Sequence, residues 1–174
     1  PSVTTTVNMQ DTGKRDATRD AERLRRDLVT ELSVVVPTFN EAANVALVAK
    51  RVGKALEGVS WEIIFVDDDS PDGTSELAKN IAKLDPRVRC IRRVGRRGLA
   101  GACIEGMLSS SAPFVAVMDA DLQHDEALLV EMLNTLRDAQ CNIVIGSRYL
   151  AAPGGGLSPA RLAASKLATS LARH

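Results

Sequence analysis

Aromatic side chains are nearly missing from this sequence. One Trp, one Tyr and three Phe make up 3% of 174 residues, while hydrophobic residues reach 45%. A core of that kind must be built from Val, Ile, Leu and Ala, which suits short parallel strands buried under helices better than an antiparallel sandwich. Net charge is missing too: 22 Lys plus Arg balance 22 Asp plus Glu. That balance argues against a general polyanion binder, so no nucleic acid partner is expected and local clusters carry the signal. Cysteine is scarce, and Cys90, Cys103 and Cys141 lie far apart without metal-ligand spacing. They read as buried thiols kept reduced. No apolar run approaches the ~20 residues of a membrane span. The polar start, Pro1 to Asp16, is no signal peptide. A soluble chain is expected.

What is present is a regular alternation. After a tail over residues 1–30, read as disordered or as a short amphipathic helix through Ala17, Ala21, Leu24 and Leu28, the pattern changes at Leu32. Strand-length apolar runs occur at Leu32–Val36, Ile63–Val66, Val88–Ile91, Phe114–Met118 and Ile143–Ile145, each followed by a helix-length segment rich in Ala and Leu. Short strands that are apolar throughout need helices on both faces, which predicts an α/β domain with an open, doubly wound, mostly parallel sheet. Ligands bind such sheets beyond the carboxyl ends of the strands. The unusual polar clusters fall at those ends. Near the end of the chain, Gly154-Gly155-Gly156 is a flexible tract, Ser158 a helix cap and Pro159 a first helical residue. A helix is expected from Pro159 toward Arg173.

The second run leads into Val66-Asp67-Asp68-Asp69-Ser70-Pro71-Asp72-Gly73-Thr74, which places four carboxylates within six residues. Such crowding costs stability unless cations or hydrogen-bond donors face it. After the fourth run comes Met118-Asp119-Ala120-Asp121-Leu122-Gln123-His124. In an extended exit, alternate residues face one side, so Asp119, Asp121 and Gln123 would converge. Three oxygen donors suit a hard cation, Mg²⁺ or Mn²⁺, that keeps positions open for phosphate oxygens. The bland alternatives are that Asp125 caps the next helix, that Asp72 and Gly73 serve the turn after Pro71, and that His124 is simply solvated.

Five stretches together resemble the dolichol-phosphate mannosyltransferase-like (polyprenyl-phosphate) branch of the family 2 inverting glycosyltransferases. They are V-V-V-P-T-F-N-E-A-A-N-V (34–45), F-V-D-D-D-S-P-D-G-T (65–74), R-R-G-L-A-G-A (96–102), M-D-A-D-L-Q-H (118–124) and I-G-S-R-Y (145–149). The resemblance runs from Leu32 almost to the end, with the motifs in family order. It implies one GT-A, nucleotide-diphospho-sugar transferase domain over residues 31–174, truncated at its C-terminal end because relatives continue into a further S-G-F-R-containing segment and often membrane helices. Glu126 also stands where many relatives have proline.

By that resemblance, Pro37, Phe39 and Glu41 would line the nucleoside pocket, and Asp67 and Asp68 would bond the base or ribose. Arg97 and Asp119 would contact the donor, and Asp119, Asp121 and Gln123 would hold Mg²⁺ or Mn²⁺ on its diphosphate. Arg148, Arg161 and Ser165 would grip the acceptor phosphate. Arg161 and Ser165, four apart on the expected helix, share a face near a helix start that favours anions. The implied activity is inverting transfer of a hexose, mannose favoured, from GDP-mannose to a dolichol or polyprenyl phosphate. It would take place at the cytoplasmic face of a membrane, with peripheral membrane contact. Asp121, Arg148, Arg161 and Ser165 are the expected catalytic set.

Arg87, Arg89, Arg92, Arg93, Arg96 and Arg97 form a basic stretch with two readings. Arg87 and Arg89 fit an exposed, solvated edge, whereas Arg96 and Arg97 fit the donor site or anionic headgroups. Gly95, Gly98 and Gly101 do not have dinucleotide-binding spacing. Three rivals remain: a UDP-sugar-dependent transferase, a non-catalytic nucleotide-sugar binding module, and a response-regulator-like domain with acids at strand ends.

Overall fold

The computed structural model describes residues 29–138 and 141–146. Most of the expected tail, the glycine tract, the helix from Pro159, and Arg148, Arg161 and Ser165 lie outside the described residues. The chain divides into two compact units, residues 1–133 and 134–174.

The elements alternate as the sequence predicts: β1 (Leu32–Thr38), α1 (Ala42–Ala55), β2 (Trp61–Asp67), α2 (Thr74–Leu84), β3 (Val88–Arg92), α3 (Leu99–Leu108), β4 (Phe114–Val117) and α4 (Leu128–Arg137). The strands pair in parallel in the order β3-β2-β1-β4. Winding runs outward from β1 in both directions, so its direction reverses between β1 and β4. A ligand crevice is expected at that reversal.

Alternation along the strands divides the core between the two faces of the sheet. Leu32, Val34 and Val36 of β1 with Trp61, Ile63 and Phe65 of β2 pack against Val45, Val48 and Val52 of α1 and Ala78 of α2, joined by Leu129 and Leu133 of α4. Val35, Ile64 and Val66 face the other way, against Ala102 of α3. Helices therefore cover both faces. The central strands are apolar through both because neither face meets water.

At the amino end of the α3 face the packing turns polar. Buried Ser33 Oγ donates to Glu62 Oε1 at 2.6 Å, and Arg89 Nη1 donates to Glu62 Oε2 at 3.0 Å. Arg87 lies 4.4 Å from the centre of the Trp61 ring and pairs with Asp85 at 2.8 Å. Both arginines are exposed, as an edge strand predicts, but neither is merely solvated.

Two expectations are corrected. Ile143–Ile145 is no strand: residues 141–146 carry no regular structure, and the two isoleucines are 76% and 81% exposed. A strand exists through ladder bonds to a neighbour, which three apolar residues do not supply by themselves. The cysteines are half-buried and free rather than buried. Cys90 sits on an edge strand, and burial raises its thiol pKa to about 11, so it stays protonated.

α3 approaches the sheet closely because Gly106 has no side chain. A Cβ there would collide with Val35 Cγ1 and lie 3.0 Å from Val66 Cγ2. Val35 is β-branched, fully buried and stiff about χ1, so it cannot retreat cheaply. Gly106→Ala should lower stability by about 1–3 kcal/mol despite the better helix propensity of Ala. Urea midpoints will check this, and adding Val35→Ala should make the combined loss smaller than the sum of the two.

Candidate active site

The site is built where the strands end. Among the described residues three non-glycines have left-handed backbone, Asn40 (φ 60°), Asp69 (φ 59°) and Leu122 (φ 61°), and they follow β1, β2 and β4 respectively. Gly95 (φ 69°) and Gly98 (φ 128°) follow β3. Each strand therefore leaves the sheet through a residue forced out of the ordinary regions, which turns the chain sharply at one rim.

The four crowded carboxylates each meet their own donors. Asp67 is 0% exposed; its Oδ1 accepts from Ser70 Oγ at 2.5 Å and Thr38 Oγ1 at 3.2 Å, and its Oδ2 accepts from the Ser70 N–H at 3.0 Å. Asp68, also buried, pairs through Oδ1 with the Arg93 guanidinium, while Oδ2 accepts from the Gly98 N–H at 2.6 Å. Asp69 Oδ1 takes Arg92 Nε at 2.7 Å, and Arg92 Nη1 reaches on to Glu76 at 3.2 Å. Asp72 Oδ2 accepts from the Ala42 N–H at 3.1 Å, and its Oδ1 from the Thr74 N–H at 3.0 Å.

These bonds give Asp67 and Asp68 a part in holding the loops together, beside the nucleoside contact expected of them. Asp67 is fully buried, whereas Asp68 keeps 7% of its surface exposed and accepts one bond at each oxygen, short of a carboxylate's capacity. Asp72 serves the turn after Pro71 as anticipated, and it does more. With Thr74 Oγ1, which accepts from the Glu41 N–H at 2.9 Å, it supplies the start of α1 with acceptors that Glu41 does not provide from its own side chain.

Around this frame lie the more accessible residues. Phe39 is 44% exposed, with the Arg97 guanidinium 4.6 Å from its ring centre. Pro37 and Glu41 are half-buried beside it in sequence, and Glu41 Oε2 accepts from Asn44 Nδ2 at 2.7 Å. Arg96 makes a two-pronged bond to Glu105, at 2.9 and 3.0 Å.

The Asp119–Gln123 segment departs from an extended exit. Leu122 is left-handed, and Asp121 Oδ1 accepts from the Gln123 N–H at 3.0 Å, closing a local turn. Gln123 therefore follows a turn rather than an extended exit. Among the described residues no three His, Cys, Asp or Glu side chains converge as a metal site. His124 is not just solvated: its Nε2 lies 3.2 Å from Asp119 Oδ2. Asp119 and Asp121 are exposed hard-oxygen donors, a set suited to a divalent cation that draws its remaining ligands from water and phosphate. Asp125 caps the entry to α4, accepting from the Ala127 N–H at 3.0 Å.

Residues 33–171 match the family described as glycosyl transferase family 2. The chain belongs to glycosyl transferase family 2. It is 40% identical over 120 residues to a dolichol-phosphate mannosyltransferase of Pyrococcus furiosus, covering 69% of this chain and 34% of that protein. It is 38% identical over 147 residues to a polyprenol monophosphomannose synthase of Mycolicibacterium smegmatis, covering 80% and 54%. The chain thus spans between a third and just over half of the length of these relatives. A glucosyl-3-phosphoglycerate synthase from Mycobacterium tuberculosis, solved with Mn²⁺, UDP and phosphoglyceric acid, superposes with a TM-score of 0.50 at 23% identity over 64% of this chain and 40% of that one. That likeness shows the GT-A fold expected from the family.

Sequence reasoning missed Arg93. It was one arginine of six in the basic stretch, yet it is the one that turns inward. Its only signal was position, directly after a strand and opposite the second acid.

Hydrogen bonds, first that of the Thr74 hydroxyl and then those of the Ala42 and Thr74 amides, hold the Asp72 carboxyl below the usual carboxylate range. A pKa lowered by folding gives stability that is full above about pH 4 and is lost as pH falls through the folded value. Asp72→Asn should therefore be less stable than wild type at pH 7, with the gap narrowing as pH falls below about 4. Urea midpoints above and below that pH will show it, and a gap that is constant with pH would remove the carboxylate's role.

Proposed function

We propose that the chain is the donor-binding part of an inverting transferase that moves a hexose, mannose favoured, from a nucleotide-diphosphate sugar, GDP-mannose favoured, to a dolichol or polyprenyl phosphate. The observation that carries this reading is the rim itself. Parallel pairing puts the exits of β1, β2 and β4 at one end of the sheet, with Phe39 and Arg97 stacked at one strand and Asp119 and Asp121 open at another. Two relatives near 40% identity named for mannosyl transfer to polyprenols support the choice of substrates.

In this reading Phe39, Pro37 and Glu41 form one wall for the nucleoside, and Arg97 draws the negatively charged donor toward it. Asp67 and Asp68 hold the loops of this wall, and their remaining acceptor positions are assigned to the base or ribose. Asp119, Asp121 and Gln123 would hold Mg²⁺ or Mn²⁺, which when bound offsets charge building on the leaving diphosphate. The Mn²⁺ in the M. tuberculosis structure supports a divalent ion of this kind. Arg148, Arg161 and Ser165 are assigned to the acceptor phosphate.

The acceptor phosphate, with a second pKa near ~6, is largely ionised at neutral pH, so no strong general base is needed. One of its oxygens bonds to the anomeric carbon as the bond from that carbon to the diphosphate oxygen breaks. The electron pair leaves with the nucleoside diphosphate, and attack from the opposite face inverts the centre. A polyprenyl acceptor places the reaction at a membrane surface, at its cytoplasmic face in this reading, although no helix among the described residues is long and apolar enough to cross a bilayer.

A panel of GDP- and UDP-sugars with Mg²⁺ or Mn²⁺ and a short polyprenyl phosphate, read by product mass, tests this. GDP-mannose is expected to give a mannosylated polyprenyl phosphate. Asp121→Ala is expected to cut turnover by about 100-fold or more. Wild-type rates with unchanged metal dependence in that variant would overturn the assignment, and product from UDP-sugars alone would favour the rival donor.

A further inference from the structure

We infer that Arg93 is a positioning residue for the donor site: it locks Asp68 to the turn that carries Arg97, and so sets where Arg97 meets Phe39. The inference rests on the donor-binding reading above. Arg93 follows β3 directly and is 5% exposed. Its Nη1 pairs with Asp68 Oδ1 and donates to the Gly98 carbonyl at 3.2 Å, while its Nε donates to Glu105 Oε2 at 3.2 Å. Asp68 answers by accepting the Gly98 N–H at 2.6 Å. Gly98 is thus held at both its N–H and its C=O by one buried ion pair. The neighbouring residue on one side is Arg97, stacked over Phe39 at 4.6 Å.

A socket is built for the guanidinium. A Cβ on Gly101, in the first turn of α3, would come within 2.6 Å of Arg93 Nη2. The exits of β1, β2 and β3 are linked through this one group: Arg93 binds Asp68 after β2, fixes the turn after β3, and through Arg97 reaches Phe39 after β1. Lysine cannot replace it, because a point charge on a flexible stem lacks the planar fork that meets Asp68, Gly98 and Glu105 at once.

Two variants test the inference in the full chain. Arg93→Lys keeps the charge and removes the fork. Gly101→Ala keeps Arg93, favours the helix, and fills the socket, so misfolding of the first variant does not leave the question open. Amide exchange by NMR and GDP binding with Mn²⁺ by calorimetry are measured for both. The expected result is about tenfold faster exchange at Gly98 and about tenfold weaker GDP binding, the scale of losing one charge-assisted hydrogen bond, with β1 and β2 amides still protected. Unchanged Gly98 exchange in both variants overturns the lock. Faster exchange with unchanged GDP affinity overturns its role at the donor site, as does a fall in unfolding midpoint with neither readout moved. Wild-type chain that binds neither GDP nor UDP sinks the donor-binding reading and this role with it, and Gly98 exchange then still decides whether the lock exists.

Discussion

Repulsion among the acids that follow β2 is the constraint around which the rim of this sheet is organised. Carboxylates that close together at the end of an apolar strand would oppose folding if they faced one another across a low-dielectric loop. The structure sends each in a different direction and meets each with a different donor. Asp67 turns into hydroxyl and amide hydrogen bonds, Asp68 meets a buried arginine, Asp69 an exposed one, and Asp72 the start of a neighbouring helix. The left-handed backbone at Asp69 lets adjacent side chains diverge in this way. Truncating a single donor such as Arg93 would be costly because it would leave a buried charge unpaired, whatever the intact pair contributes.

That compensation also connects the strand exits. The β2 loop reaches toward β1 through Ser70, Asp72 and Thr74, whose side chains accept the Asn40, Ala42 and Glu41 amides. It reaches toward β3 through Asp68 and Asp69. A loop that would otherwise move freely is bonded on both flanks. The backbone turns at Asn40 and Asp69 persist because surrounding bonds over-determine them, as strained residues at working sites require.

Much of this architecture was legible in the sequence. Apolar runs placed β1 to β4 within a few residues, since fully buried parallel strands leave an unbroken hydrophobic signature, and the shortage of aromatics pointed to the Val- and Ile-rich core that is found. Four of the five motifs fall at the strand exits, while the fifth, at 145–149, runs beyond the described residues. What was not legible lay in side-chain direction beyond the strands. Alternation assumes an extended chain, and Leu122 breaks it at the Asp119–Gln123 segment. Inside the basic stretch, composition could not distinguish Arg93, which points inward, from Arg96 and Arg97, which lie outside, because that choice is set by the cavity at Gly101 and the acid at Asp68 on other elements. The run at Ile143–Ile145 has strand composition without strand structure, since pairing is a property of two segments.

The two acidic motifs therefore have different physical roles, although each consists of clustered aspartates after a strand. In the first, Asp67 and Asp68 are buried and bonded to protein donors, and those bonds hold the loops in place. In the second, Asp119 and Asp121 are exposed, and each keeps one oxygen without a partner among the described residues. Cations and phosphates are bound where desolvation is cheap and coordination positions are open. Buried, bonded acids frame the rim while accessible acids remain available at it, a division that leaves one end of a small sheet both stiff and open.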